Sequence, residues 1–225
     1  MTEIEQVGLY GGSFDPIHLG HLNVASHLKQ LAHLDKVLFV PAVVSPFKSD
    51  DPPKASDSDR LRMCELAVEG IDGFEVCTVE LDRGGVSYMI DTVKALMEDP
   101  KYRNVVFRLM MSEDALSQLY KWKKAEALVR LAPPLVGSRH QVERDLKRYF
   151  SPEAVDLIEA GVVKTKISPI SSTAIRKELL GGNYDLGHWI PEKVLDYIKH
   201  NKLYSRRYYE ERSYRNTESG CADCL

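Results

Sequence analysis

The chain has 225 residues, 44% of them apolar, and a formal net charge of −3. That length supplies one good core and makes a single domain the default. No apolar run reaches the roughly 18 residues that a membrane span needs, and the slightly acidic balance leaves no global electrostatic footprint for nucleic acid.

The start, Met1-Thr2-Glu3-Ile4-Glu5, is acidic and lacks the apolar stretch of a signal peptide, so a cytoplasmic protein is expected. Val7–Tyr10 reads as a strand. It runs directly into Gly11-Gly12-Ser13-Phe14-Asp15-Pro16-Ile17-His18-Leu19-Gly20-His21. A helix follows, with Leu22, Ala25, Leu28 and Leu31 as its apolar stripe. A strand, a glycine turn and a helix offer backbone N–H groups and a positive helix end, which together can hold phosphate. His18 and His21 stand three residues apart at that mouth and would share a face. The plain alternative is an ordinary turn with two surface histidines. The two glycines, the hydroxyl and the flanking elements weigh against it.

Lys36–Pro41 is the second expected strand. Ser45–Ser56 is polar and proline-rich and reads as a mobile loop. Ser58–Glu69 is helical, with Ser56 and Ser58 as candidate caps. The remaining strands are expected at Phe74–Leu81, Val105–Met111, Leu135–Ser138 and Val162–Ile167, and the helices between them at Thr92–Glu98, Trp122–Leu131 and Ser151–Glu159. This alternation predicts an α/β fold, a Rossmann-like and mostly parallel sheet with helices on both faces. In such sheets ligands bind beyond the carboxyl ends of the strands, where the Gly11 turn sits. No G-x-x-x-x-G-K-[ST] occurs and no G-x-G-x-x-G follows the first strand, which excludes a P-loop enzyme and argues against a dinucleotide dehydrogenase.

Ser171-Ser172-Thr173-Ala174-Ile175-Arg176 opens the next helix, Ile175–Leu180, which Gly181-Gly182 ends. The hydroxyls suffice as an N-cap. Arg176, one turn in, adds a guanidinium that a cap does not need, so the group reads as a polyphosphate clamp. Residues 1–204 read as one domain. Residues 205–225 are charged, tyrosine-rich and aperiodic, a tail either disordered or packed on a partner. Cys64 and Cys77 are expected as small core residues. Cys221 and Cys224 have metal-like spacing but no further ligands, so no metal site is expected there.

Ser13, His18, Gly20 and His21 resemble the H-x-G-H signature of the nucleotidylyltransferase superfamily. The longer string Gly-Gly-Ser-Phe-Asp-Pro-Ile-His is similar to the bacterial nicotinate-nucleotide adenylyltransferases, and Ile-Ser-Ser-Thr-x-Ile-Arg resembles their C-terminal motif. Ser87-Tyr88-Met89-Ile90-Asp91-Thr92 resembles the family segment that lies against the pyridine ring and its carboxylate, with Met89 in place of the usual threonine. Ser112-Glu113-Asp114 stands where the family has Gly-x-Asp, and Trp122 where its indole stacks on the pyridine. Lys48 follows Pro46-Phe47 where the family has Pro-His-Lys, and Arg139 matches an arginine that can reach a phosphate. The resemblance runs from Val7 to Tyr204.

It implies transfer of AMP from ATP to nicotinate mononucleotide, forming deamido-NAD and pyrophosphate in NAD biosynthesis. His18, His21 and Lys48 would be catalytic. ATP would be held by Gly12, Ser13, Phe14, His18, His21, Ser171, Ser172, Thr173 and Arg176. The mononucleotide would be held by Lys48, Tyr88, Met89, Thr92, Asp114, Trp122 and Arg139. Mg²⁺ would arrive with ATP, bound mostly through water and phosphate oxygens. Partners are expected to be these small molecules, with neither nucleic acid nor membrane. The same chemistry on nicotinamide mononucleotide, and a nucleotide-binding regulator without catalysis, both stay open at Met89 and Ser112. Chain length and the serine-rich motif weigh against phosphopantetheine as acceptor. An aminoacyl-tRNA synthetase fragment would want a K-M-S-K-S-like loop, and none is present.

Overall fold

A computed structural model describes residues 4–47, 51–138, 146–165 and 169–210. Six strands, β1 (Glu5–Gly12), β2 (Lys36–Pro41), β3 (Phe74–Val76), β4 (Val105–Ser112), β5 (Pro134–Ser138) and β6 (Val162–Lys164), form one sheet in the order β3-β2-β1-β4-β5-β6. Every neighbouring pair is parallel. The helices are α1 (Leu19–Leu31), α2 (Asp57–Val68), α3 (Val79–Arg83), α4 (Met89–Glu98), α5 (Glu113–Gln118), α6 (Ala125–Leu131), α7 (Pro152–Ala160), α8 (Ser172–Leu180) and α9 (Glu192–His200).

Consecutive residues of the central strands go to opposite cores. Tyr10, Phe39, Met110 and Leu135 pack with α1, α2, α8 and α9. Leu9, Leu38, Leu109 and Val136 pack with α4, α6 and α7. Burial on both faces is why these strands read as continuous apolar runs rather than alternating ones. The sheet order reverses direction between β1 and β4, and that switch point opens a crevice at their carboxyl ends.

Helix starts follow the serines. Ser56, Ser151 and Ser171 each accept the N–H three residues on, from Asp59, Ala154 and Ala174. Such a cap contributes about 1 kcal/mol. Ser56 is therefore the cap of α2, and Ser58 lies within the first turn.

The structure differs from expectation in several elements. The strand expected over Phe74–Leu81 stops at Val76, and Val79–Arg83 is helical. Cys77 N–H makes the last rung, to Phe39 O at 2.8 Å, and Glu80 then turns inward to Thr92. Leu31 is 52% exposed, while Val24 joins Leu22, Ala25 and Leu28 in the buried stripe of α1. The helix expected from Trp122 starts at Ala125, because Lys124 before it takes a left-handed conformation at φ 52°. Helix α9 is not among the expected elements. Ser112 caps α5 by accepting from Ala115 N–H.

The strand expected over Val162–Ile167 is described to Lys164, and residues 166–168 lie outside the described set. Cys64 is a buried free thiol and Cys77 a half-buried one, whereas Cys221 and Cys224 lie outside the described residues. The first residues of the expected tail are turned onto the domain, with Tyr208 OH donating to Lys54 O at 3.1 Å. Among the described residues no helix is long and apolar enough to cross a membrane.

Candidate active site

A cavity of about 760 Å³ opens beyond the carboxyl ends of β1 and β4. Gly11 and Gly12 form its floor from β1, and Met110, Met111 and Ser112 from β4. His18 and His21 line it from the start of α1, Ser171–Thr173 and Arg176 from the start of α8, and Tyr88 and Met89 from the start of α4. The two motifs at opposite ends of the sequence therefore share one cleft. A shallower recess of about 500 Å³ beside His27, His33 and Thr165 contains none of the motif residues.

His18 is the N-cap of α1, with extended backbone at φ −149°. Its Nδ1 accepts the N–H of His21 at 3.3 Å, and Nδ1 of His21 accepts the N–H of His18 at 3.2 Å. Backbone N–H can only donate, so both Nδ1 atoms are lone pairs and the ring protons sit on Nε2. The rings stack with centroids 3.6 Å apart and planes 21° apart. Burial pushes the pKa of His18 down to about 4, partly opposed by a backbone hydrogen bond. At neutral pH His18 is therefore an uncharged imidazole whose Nε2–H is its remaining donor.

The small residues around the pair have specific reasons. A Cβ on Gly20 would stand 2.9 Å from Nδ1 and 3.0 Å from Cε1 of His18. The ring lies flat over that helix position, and only glycine leaves room. Gly12 sits under the Phe14 ring, where a Cβ would come to 3.1 Å. Phe14 itself has a positive φ of 45°. Its buried ring meets the His21 ring edge-on at 5.1 Å, so it braces that imidazole while lining the cleft. Below the turn, the fully buried Arg60 donates from Nη1 to Ser13 O at 2.6 Å and from Nη2 to Asp57 at 2.6 Å.

The α8 tip is tied to the same turn. Ser172 Oγ donates to Pro16 O at 2.9 Å, and Arg176 Nη1 donates to Asp15 O at 2.7 Å. Thr173 Oγ1 accepts from Arg176 Nη2 at 3.4 Å. Ser171 is occupied as the cap. The hydroxyls thus serve the architecture first, while the N–H groups of the opening turn and the outer face of Arg176 are left for an anion.

The other half of the cleft is aromatic. Phe47 and Trp122 line it with ring centroids 6.3 Å apart. Tyr88 is held by Lys123, whose Nζ lies 4.3 Å over the ring and 2.8 Å from Asp91 Oδ2. Met89 reaches across the floor, and a Cβ on Gly11 would collide with its methyl end. Asp114 lines the wall at the end of β4.

Of the residues named from sequence, Gly12, Ser13, Phe14, His18, His21, Tyr88, Met89, Asp114, Trp122, Ser171, Ser172, Thr173 and Arg176 line this cavity. Thr92 does not. It is fully buried, donating to Glu80 Oε1 at 2.6 Å and accepting from Arg83 at 3.3 Å. Lys48 and Arg139 lie outside the described residues. Sequence reasoning passed over Asp15, Arg60, Glu80, Gln118 and Tyr204. Arg60 reads as an ordinary charge on a helix, but Asp15, inside the glycine-turn motif and followed by proline, carried a signal that could have been used. Among the described residues no three His, Cys, Asp or Glu side chains converge as a metal site.

Comparison with known proteins agrees with this geometry. Residues 9–178 match the cytidylyltransferase-like family. The chain is 36% identical over 204 residues to a protein of Listeria monocytogenes named a probable nicotinate-nucleotide adenylyltransferase, covering 90% of this chain and 98% of that one. A Gemmatimonas aurantiaca protein of the same name is 33% identical over 199 residues, covering 88% and 92%. In fold, the chain is similar to a nicotinic acid mononucleotide adenylyltransferase of Plasmodium falciparum solved with APC. The TM-score is 0.68 at 21% identity, over 89% of this chain and 97% of that one. The same Plasmodium enzyme solved with NaAD gives a TM-score of 0.67, at the same identity and coverage.

Proposed function

The chain belongs to the nicotinate-nucleotide adenylyltransferases of the cytidylyltransferase-like family, and on that premise we propose that its cleft transfers AMP from ATP to nicotinate mononucleotide, releasing pyrophosphate. The observation that carries this reading is the convergence of two mutually capped imidazoles and the Arg176 helix tip on one cavity.

The mononucleotide 5′-phosphate is already anionic, so its attack on the α-phosphorus needs no general base and no covalent residue. Positioning and charge stabilisation supply the rate. As the bond from the α-phosphorus to the bridging oxygen lengthens, negative charge moves onto the leaving pyrophosphate. His18 and His21 present Nε2–H toward the α-phosphate and that bridging oxygen. Because His18 is neutral, it contributes a directed dipole, and the net positive charge comes from Arg176 and the opening turn of α8. Lys48, at the end of the Ser45–Phe47 segment, is assigned the neutralisation of phosphate from the loop side, and Arg139 the acceptor phosphate. Mg²⁺ accompanies ATP as part of the substrate, held by phosphate oxygens and water.

The pyridine ring fits the apolar slot between Phe47, Tyr88 and Trp122. Asp114 is assigned the ribose hydroxyls. Thr92 is assigned no contact with the mononucleotide, since its hydroxyl serves Glu80. The cytoplasm, where ATP is abundant, is the compartment this reaction fits.

The test uses purified protein with ATP, Mg²⁺ and, in parallel, nicotinate mononucleotide, nicotinamide mononucleotide or phosphopantetheine. Deamido-NAD and pyrophosphate should form in the first arm at the highest kcat/KM. Nucleotide binding without turnover in every arm would instead identify a regulator.

A further inference from the structure

The Asp15 carboxylate sits where four chain segments meet, although no catalytic step uses it. It is 4% exposed. Its Oδ1 accepts Tyr204 OH at 2.8 Å and Ala55 N–H at 3.0 Å. Its Oδ2 accepts Lys54 N–H at 2.7 Å and lies 3.5 Å from Arg176 Nη1. The same Nη1 donates to the Asp15 carbonyl at 2.7 Å. We propose that Asp15 is a positioning residue for ATP, and that Tyr204, at the far end of the domain, sets it.

The argument begins with Arg176. A guanidinium aimed at a polyphosphate must hold a long, flexible side chain in one rotamer, and doing so before ATP arrives removes an ordering cost from binding. Asp15 takes one nitrogen of the fork by its carbonyl and steadies it from 3.5 Å by its carboxylate. Its Nη2 reaches Thr173 Oγ1 at 3.4 Å, and the side chain lines the cleft wall. The carboxylate also holds the backbone of Lys54 and Ala55, the end of the segment whose Asp51, Pro52 and Pro53 line the same cavity.

Tyr204 completes the arrangement at a visible conformational cost. It is a non-glycine residue at φ 60°, in the left-handed region, with its side chain fully buried. A bulky residue keeps such a conformation only where its surroundings over-determine it. Burial, with Asp15 beside it, raises the phenol pKa well above its ordinary value, so it stays protonated and donates. Tyr208 grips the same segment again through Lys54 O. The end of the domain thus fastens the loop and, through one carboxylate, the arginine.

The proposal rests on the adenylyl-transfer reading, and the experiment separates the two. Wild type, Asp15→Asn and Tyr204→Phe are made as full chains, and KM and kcat are measured for each substrate, with ATP affinity measured by calorimetry. Asp15→Asn should raise KM and Kd for ATP about tenfold, the scale of one hydrogen bond to a charged group. Tyr204→Phe, which removes one oxygen and keeps the ring, should raise them several-fold. KM for the mononucleotide should change less than twofold. In an Arg176→Ala background, Asp15→Asn should cost much less further ATP affinity than in wild type, because most of its effect runs through that side chain. A purely structural role would instead reduce the folded fraction, lowering apparent kcat for both substrates with ATP affinity unchanged. That result, or an unchanged KM for ATP in folded Tyr204→Phe, overturns the proposal. An inactive wild type that still binds ATP would sink the adenylyl-transfer reading alone, and the calorimetric comparison would still decide the role of Asp15.

Discussion

His18 and His21 hold one another by backbone: each ring's Nδ1 accepts the other residue's N–H, at 3.3 and 3.2 Å. One arrangement caps the helix and fixes both tautomers. A proton added to either Nδ1 would remove an acceptor and break a cap. Imidazole ¹⁵N spectra of histidine-labelled protein should therefore show both residues protonated at Nε2. His18 should stay neutral through pH 5.5, since burial holds its pKa near 4. An Nδ1–H tautomer at either position would contradict the geometry.

The same burial makes a stability prediction whose sign can be worked out. The unfolded chain takes up a proton at His18 near the ordinary 6.5, whereas the folded chain resists until about 4. The unfolded state then binds more protons between these values, so stability is full above about pH 6.5 and falls as pH drops toward 4. The loss attributable to His18 is on the order of 3 kcal/mol. Urea midpoints measured across this window should slope less in His18→Gln than in wild type.

Gly20→Ala separates packing from catalysis. Alanine is favoured over glycine within a helix by about 1 kcal/mol, and a displaced His18 cap costs about as much, so stability should change little. The new Cβ meets the His18 ring at 2.9 Å, and the ring must move. Activity should fall at least tenfold, because a displacement of about an ångström at a reacting group has that scale of effect. Thermal midpoint and kcat measured together would show the first nearly unchanged and the second reduced.

His21→Ala removes a transition-state donor along with half of the reciprocal cap. The loss in kcat should be on the order of a hundredfold or more, accompanied by about 1 kcal/mol of stability. Full activity in the folded variant would remove His21 from the chemistry.

Thr92→Val tests the placement of a residue that sequence comparison put against the mononucleotide. Its hydroxyl donates to the buried Glu80 carboxylate at 2.6 Å. Removing it strands that carboxylate, at a cost of about 1–3 kcal/mol, while KM for the mononucleotide in folded protein should be unchanged. A large rise in that KM with stability intact would return Thr92 to the binding site.

The sheet was legible because its central strands are apolar throughout and its helices carry their own start signals: Ser56, Ser151 and Ser171 all cap as serines at such positions do. The edge was harder. At β3, three residues of strand give way to helix because an inward glutamate, not an alternating pattern, decides where the chain goes. Helix α9 presents Val194, Leu195 and Ile198 inward, a short pattern in a charged stretch that periodicity alone does not single out. The two motifs of the site were legible for a similar reason, since turn glycines and capping hydroxyls announce local geometry. Arg60 and Tyr204 were not, because the partners that matter lie 47 and 189 residues away.

Those long separations have a consequence for how the protein is made. A ribosome that has delivered residues 1–164 has supplied all six strands and both histidines. The latch between Ser172 and Pro16, and that between Tyr204 and Asp15, must wait for segments synthesised after β6. Contacts of such span close late, so nucleotide capture during translation should begin only when the fortieth residue or so beyond β6 has left the exit tunnel, a count set by the position of Tyr204.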